Sequence, residues 1–249
     1  MNKKFTFEEN THTYRLDGKR MYGVTTVLGI IAKPALISWS AKMAVEYIKE
    51  RTDKFIHHID GAEYNVSEDI YKEVLNEAKT AYAKKRDKAG EQGTDVHAEV
   101  EKMIKRAIDN DNGHIIREYI IKSHHIKQVE HFVNWAVENK IKFLASEQML
   151  WSESMFCAGT VDFVFEKDGK RYIGDIKTGR QIYDEAYFQM GGYQIMLEEM
   201  GKNNFAGSVV VRLGKDGKFE EKWNYDMETN KRAFLSALEL FKIKEQLKK

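Results

Sequence analysis

The sequence predicts an α/β fold in which a mostly helical first half precedes a mixed central sheet flanked by helices. Three observations predict it. Apolar residues recur at helical spacing before residue 140, as in Val96, Val100, Met103, Ile104 and Ala107. From Phe143 to Trp151 the period changes to two, and the strand-like runs Thr160–Glu166 and Arg171–Lys177 follow. A helical stretch over about 184–200 then leads to a further hairpin across Asp216-Gly217.

Taken in order, residues 5–31 read as a hairpin around Asp17-Gly18 with a third short strand over Gly23–Leu28. The spacing of Leu36, Trp39, Met43, Val45, Tyr47 and Ile48 predicts a helix between about 35 and 55. Residues 67–89 are charged and helical, opened by Ser67 as N-cap, and Thr94 is placed to cap a separate helix. Residues 115–138 suit one or two more helices. The chain ends in an amphipathic helix with Phe234, Leu235, Leu238 and Phe241 inward and Lys248 and Lys249 at the favourable end of its dipole. The expected organisation is one compact unit, with an N-terminal elaboration over 1–89 and the sheet core over 90–249.

Composition narrows the function. The net charge is +1, so any nucleic-acid contact must be a local patch. A single cysteine, Cys157, excludes a disulfide framework and a four-cysteine metal cluster. The longest apolar run, Val27–Ala32, is too short to span a bilayer, and Lys3 and Lys4 are followed by polar residues rather than a signal sequence. A cytoplasmic protein with no membrane partner is expected.

The segment DGKRYIGDIK, residues 168–177, contains the acid-x-Lys triplet twice. With 39 acids and 30 lysines in 249 residues, random placement gives roughly five such triplets, so the triplet alone marks no site. Asp17-Gly18-Lys19, Asp168-Gly169-Lys170 and Asp216-Gly217-Lys218 read as turns. Asp175-Ile176-Lys177 lies inside a strand. If Asp168-Gly169 is a two-residue turn, Lys167 pairs with Lys170 and Asp162 falls opposite Asp175, on the face that carries Lys177. Two opposed carboxylates either share a bound cation, for which oxygen ligands suit Mg²⁺, Mn²⁺ or Ca²⁺, or point to solvent at a sheet edge.

Other residues gain interest beside such a pair. His97 and Glu101 share one helical face. Glu147 shares an expected strand face with Phe143, Ala145 and Met149, where it needs either a metal or a buried hydrogen bond. Gln189 and Tyr193 are four apart on the helix after the Asp175 strand. Lys84, Lys85, Arg86 and Lys88 form a basic stretch that is by default a solvated helix face.

These pieces arrive in one order: G-T-D-V-H-x₃-E, A-G-T-V-D, G-D-I-K-T-G and Q-M-G-G-Y. In that order they resemble the PD-(D/E)XK nuclease superfamily, with its restriction-endonuclease-like core, and within it the RecB-like exonucleases of phages, bacterial recombination enzymes and mitochondrial genome maintenance. The match covers about 90–213, and the leader F-x₄-H-x-Y-x-x-D-G, from Phe7, is similar to that of phage members. Val161 stands where the motif's proline would be.

The resemblance implies a metal-dependent DNA exonuclease acting on single strands or strand ends in replication, recombination or repair. By resemblance, Asp162, Asp175, the Ile176 carbonyl and His97 hold one or two Mg²⁺ or Mn²⁺ ions, and Lys177 orients or deprotonates the attacking water. Gln189 and Tyr193 hold the DNA backbone or the surroundings of Lys177, and Glu101 and Glu147 are auxiliary. Lys84, Lys85, Arg86 and Lys88 reach phosphates, and Trp39 or Tyr82 stacks on bases, from a helical region that roofs the site. Some relatives carry an iron–sulfur cluster, which one cysteine cannot hold here. The alternatives are an endonuclease of the same superfamily and a non-catalytic DNA-binding subunit. A monomer is slightly favoured.

Overall fold

The computed structural model describes residues 4–51, 68–112 and 126–248. The chain forms two compact units, one built from residues up to Ile31 together with those from Asp95 onward, the other from Ala32–Thr94. Among the described residues, no helix is long and apolar enough to cross a membrane.

The larger unit is a mixed sheet flanked by helices. Strands β1 (Phe5–Glu8), β2 (Thr13–Leu16) and β3 (Lys19–Arg20) form a small antiparallel sheet. After β4 (Tyr22–Gly23), α1 (Val24–Leu28) stands where the sequence predicted a third strand. The correction has a packing cause. Val24, Val27 and Leu28 lie at i, i+3 and i+4, and a helix buries all three in one cluster, overriding the strand preference of Val and Thr. The N-terminal strands also belong with the sheet rather than with a helical elaboration. β4 pairs with the main sheet, and Tyr14, Leu16 and Met21 bury against Ala158.

The smaller unit holds α2 (Pro34–Lys49), α3 (Glu68–Ala78) and the first part of α4 (Ala81–Asp109). Two expected helices, 67–89 and the one after Thr94, are instead divided at Lys79-Thr80. Thr94 is no cap. Its hydroxyl donates to the Gly90 carbonyl one turn back, inside a continuous helix. Ser67 and much of the predicted 115–138 region lie outside the described residues, and α5 (Ile126–Glu138) is the part that is seen.

The main sheet runs β4–β6–β7–β8–β9, with β5 (Lys142–Ser152) along the other edge of β6 (Cys157–Lys167). β7 (Lys170–Lys177) pairs antiparallel with β6 through the predicted register, Lys167 opposite Lys170. Asp168 and Gly169 both have positive φ, 52° and 72°, as a tight hairpin requires. β8 (Phe205–Leu213) pairs parallel with β7 and antiparallel with β9 (Phe219–Asn224). The turn at Asp216-Gly217 differs from the other two. The last pair is Leu213–Phe219, only Gly217 has positive φ, and the Arg212 guanidinium holds Asp216 at 2.9 Å.

One face of the sheet packs on α1, α6 (Glu185–Glu199) and α7 (Met227–Gln246), the other on α4 and α5. On α7, Phe234 and Leu238 are buried and Phe241 is half-buried, but Leu235 is exposed, because it lies about 100° around the helix from Phe234. Helix α6 crosses α7 closely. A Cβ on Gly191 would sit 2.4 Å from the Asn230 carbonyl, and one on Gly192 would meet the Phe234 ring at 3.0 Å. Gly191→Ala is therefore expected to lower stability by about 2–3 kcal/mol, read as a lower urea midpoint. An unchanged midpoint would show that the two helices separate freely.

Candidate active site

Two strand ends meet on one edge of β6. β4 covers Cys157 and Ala158, and β7 covers Phe163–Lys167. Gly159–Asp162 are left without a ladder partner on that side. The predicted opposition of Asp162 and Asp175 is not reached as a ladder pair, because pairing stops at Phe163–Gly174. Beyond it the Asp162 carboxylate takes the place of a backbone acceptor, receiving the Ile176 N–H at 2.7 Å. In an extended strand the N–H and C=O of one residue point to the same side, so the Ile176 carbonyl also faces the Asp162 side.

A second irregularity shapes the site. In β6, Phe163 and Phe165 point into the α4–α5 face and Val164 into the α6–α7 face. Regular alternation would send Val161 and Cys157 to the α4–α5 face, yet both lie on the α6–α7 face. β5 makes the same swap. Ala145 and Leu150, an odd and an even position, both pack on the α6–α7 face. The registers Ser146–Phe163 and Gln148–Val161 are in step, so the inversion sits at Glu147 and Asp162. Glu147 has φ 47°, left-handed backbone that a non-glycine residue seldom adopts in a strand. The expected face of Phe143, Ala145, Glu147 and Met149 is not formed, because a register shift between Phe143 and Ala145 precedes the inversion at Glu147. Phe143 is buried in the α4–α5 cluster and Met149 is 43% exposed.

The inversion brings Glu147 to His97 and Asp162. One ligand atom from each lies within 4.8 Å of the other two. The Nδ1 of His97 is 3.6 Å from Asp162 Oδ2. His97 is delivered by α4, whose neighbouring Val96 and Val100 are anchored in the cluster that contains Phe163. Glu101, one turn on, is held by Lys105 and lies outside this group.

Asp175 is the most buried of the acids, and Lys177 closes over it. The lysine Nζ lies 2.8 Å from each carboxylate oxygen but is aligned as a donor only to Oδ1, leaving the buried Oδ2 without a hydrogen bond. Nζ also donates to Gln189 Oε1 at 3.3 Å, and Gln189 Nε2 donates to the Tyr193 hydroxyl at 2.8 Å. Gln189 and Tyr193 are both buried rather than displayed at the surface, Gln189 in contact with Lys177 and Tyr193 reaching it only through Gln189. The Tyr193 ring also accounts for Gly159, where a Cβ would come within 2.7 Å of Cε1.

Electrostatics follow from this crowding. Burial, then the Asp162 and Glu101 carboxylates, push Glu147 up to about 8. Burial pushes Asp175 up to about 7 against the pull of Lys177, with Asp162 adding to the rise. Burial alone would lower Lys177, but Asp175 and Asp162 outweigh it and hold the ammonium above its ordinary value. Acid groups that resist ionisation, and two carboxylates with an imidazole at ligand spacing, together fit a divalent cation. The donor set, mostly oxygen with one nitrogen, suits Mg²⁺ or Mn²⁺.

The family model of the PD-(D/E)XK nuclease superfamily matches residues 61–247. The chain belongs to that superfamily. It is therefore a metal-dependent nuclease by family, with DNA as the implied substrate. No curated protein matches the chain. A solved structure described as "Crystal structure of SSO0001" shares 14% identity over 59% of this chain and 74% of its own, at a TM-score of 0.28, too loose an overlap to carry an argument.

The remaining predicted residues of this nuclease are Lys84, Lys85, Arg86 and Lys88, all exposed on the part of α4 within the smaller unit. Lys85 pairs with Glu46 at 3.8 Å and Arg86 with Asp87 at 2.8 Å. Trp39 and Tyr82 pack edge to face on each other. The sole cysteine is a core residue, its thiol pushed up to about 12 by burial.

Sequence reasoning missed two features. The left-handed backbone at Glu147 has no local signal such as glycine or asparagine. The Arg212 guanidinium, which donates to the Gly179 carbonyl at 2.7 Å and so ties down the turn after Lys177, is a long-range contact with no spacing rule.

Proposed function

We propose that the protein is a DNA exonuclease, acting on single strands with a free end in replication, recombination or repair, and that His97, Glu147 and Asp162 hold its Mg²⁺ or Mn²⁺. The observation that carries the metal reading is the grouping of those three ligand atoms beside the Lys177–Asp175 pair. The divalent cation supplies a lowered water pKa and charge screening at the scissile phosphate. The chain's own residues do the rest. Asp162 and the Ile176 carbonyl line the side of the gap where the phosphate would lie, and Asp175 holds Lys177 beside it. Lys177 is held as an ammonium, which supports orienting water and offsetting charge on the phosphate over taking a proton. Gln189 and Tyr193 position that ammonium through the hydrogen-bonded chain. Cytoplasmic location and a monomeric state belong to this reading.

The requirement for an end rests on the resemblance of the ordered motifs to RecB-like exonucleases. It is tested by comparing linear with circular single-stranded DNA of the same sequence. The linear form should be degraded and the circle spared. Rapid loss of the circle would move the protein to an endonuclease.

A further inference from the structure

The F-x₄-H-x-Y motif at the N-terminus has no part in the site described so far. Its three residues come together in the structure. The Phe7 ring stacks on Tyr14, with centroids 4.8 Å apart, and meets the His12 ring edge to face at 5.1 Å. Tyr14 is buried and His12 exposed. The Tyr14 hydroxyl makes two hydrogen bonds, 2.9 Å to Thr160 Oγ1 and 3.2 Å to His12 Nε2. Thr160 lies in the stretch of β6 that has no partner on the β4–β7 side, two residues before Asp162. The hairpin thus borders the metal-binding group, and the chain His12–Tyr14–Thr160 is fastened to the strand that carries it.

His12 is held in an unusual way. Its φ is 47°, and the four-residue loop before it closes with its N–H on the Glu9 carbonyl at 3.1 Å. Thr11 beside it engages the Glu8 carboxylate at 2.8 Å. The ring is fixed on one edge by Tyr14 and on one face by Phe7. Among the described residues its Nδ1 makes no hydrogen bond. If Nε2 accepts from the Tyr14 hydroxyl and Tyr14 accepts from Thr160, Nδ1 carries the proton and is a donor. If the ring is protonated, both nitrogens donate and Nδ1 is a donor still.

The geometry points to His12 as a phosphate-binding residue for the DNA strand in the nuclease site, with Phe7 and Tyr14 as positioning residues. This rests on the nuclease reading above. A strand with one phosphate at the His97–Glu147–Asp162 group must carry its neighbouring phosphates along the gap in β6. On the α6 side the gap is closed by buried Gln189 and Tyr193. On the hairpin side His12 offers its exposed Nδ1, an N–H donor when Nε2 accepts from the Tyr14 hydroxyl, at a position set by Thr160. A hydrogen bond from that N–H to an ionised phosphate oxygen is charge-assisted and carries no base preference.

The test is binding of a fluorescein-labelled single-stranded oligonucleotide in EDTA, followed by anisotropy, together with steady-state cleavage in Mn²⁺. His12→Ala should raise Kd about tenfold, and KM by a matching factor, the loss of one hydrogen bond to a charged group. His12→Gln, which retains an N–H donor, should recover part of the loss. Tyr14→Phe, which retains the ring packing and removes only the hydroxyl, should raise Kd about threefold by freeing the imidazole. If His12→Ala fails to fold, the other two variants decide. An unchanged Kd in His12→Ala or, if that variant does not fold, in both others, or a loss confined to kcat, overturns the assignment while leaving the nuclease intact. A wild-type protein that neither binds nor cleaves DNA overturns both.

Discussion

Replacing Lys177 with alanine is expected to slow DNA cleavage by about a thousandfold or more, equivalent to about 4 kcal/mol of barrier, while metal binding survives. The expectation comes from the ammonium's position. It lies 2.8 Å from the Asp175 carboxylate, is linked to Gln189, and is, among the described residues, the one cation in contact with this acid cluster's buried member. Among the described residues of the site, no other preorganised cation faces charge developing on a phosphate in the gap. The fold should tolerate the change. Without the lysine, burial and Asp162 drive the Asp175 carboxyl further toward its neutral form, so no isolated charge is left inside. Single-turnover cleavage, with circular dichroism and a metal-induced thermal shift as controls, reads all three. Cleavage within about tenfold of wild type would remove Lys177 from the chemistry.

Glu147→Gln is expected to make the metal-free protein more stable at pH 8 while weakening its response to metal. A carboxyl raised from 4.5 to about 8 binds more protons folded than unfolded between those values. Stability therefore falls as pH rises from about 5 to 8, and is fully present only below the unfolded value. The shift corresponds to at most about 5 kcal/mol, and for a half-buried group solvent screening brings the expected effect nearer 2 kcal/mol. For a chain of this length that is about 5 °C in Tm. Asp175, raised to about 7, contributes with the same sign, so the variant's curve should flatten without becoming level. Added Mn²⁺ should raise the Tm of the wild type by binding the folded state alone, and raise that of the variant less. Parallel pH curves for the two proteins in EDTA, or equal metal shifts, would place the ion away from Glu147.

The sequence carried the hairpin register because it depends on one local fact, the two-residue turn at Asp168-Gly169, and residues 163–174 then pair by arithmetic. The spacing of Gln189 and Tyr193 gave only a surface and core-edge pair, and their link to Lys177 was implied by the resemblance alone; in the structure Gln189 accepts from Lys177 and Tyr193 joins through Gln189. The sequence did not carry what happens at the last pair. Whether Asp162 meets Asp175 across a ladder or takes the Ile176 N–H depends on β7 leaving β6, and that departure is fixed by β4 and β8, remote in sequence. Glu147 was visible as a carboxylate in need of a partner, but its partners were not, because strand alternation fails where the backbone turns left-handed. α1 reads as a strand by composition and becomes a helix because three apolar side chains need one face. The Tyr14–Thr160 bond spans 146 positions, and no spacing rule reaches that far.

The most direct test of the metal-dependent nuclease centre is cleavage of end-labelled DNA by the wild type and by Asp162→Asn, in Mg²⁺, in Mn²⁺ and in EDTA. Asp162 touches His97, shares the ligand group with Glu147 and accepts from Ile176, so the isosteric amide removes the shared ligand with little change in shape. The account predicts cleavage by the wild type with either metal, none in EDTA, and none by a folded Asp162→Asn. Cleavage in EDTA, or undiminished cleavage by the variant, would contradict it.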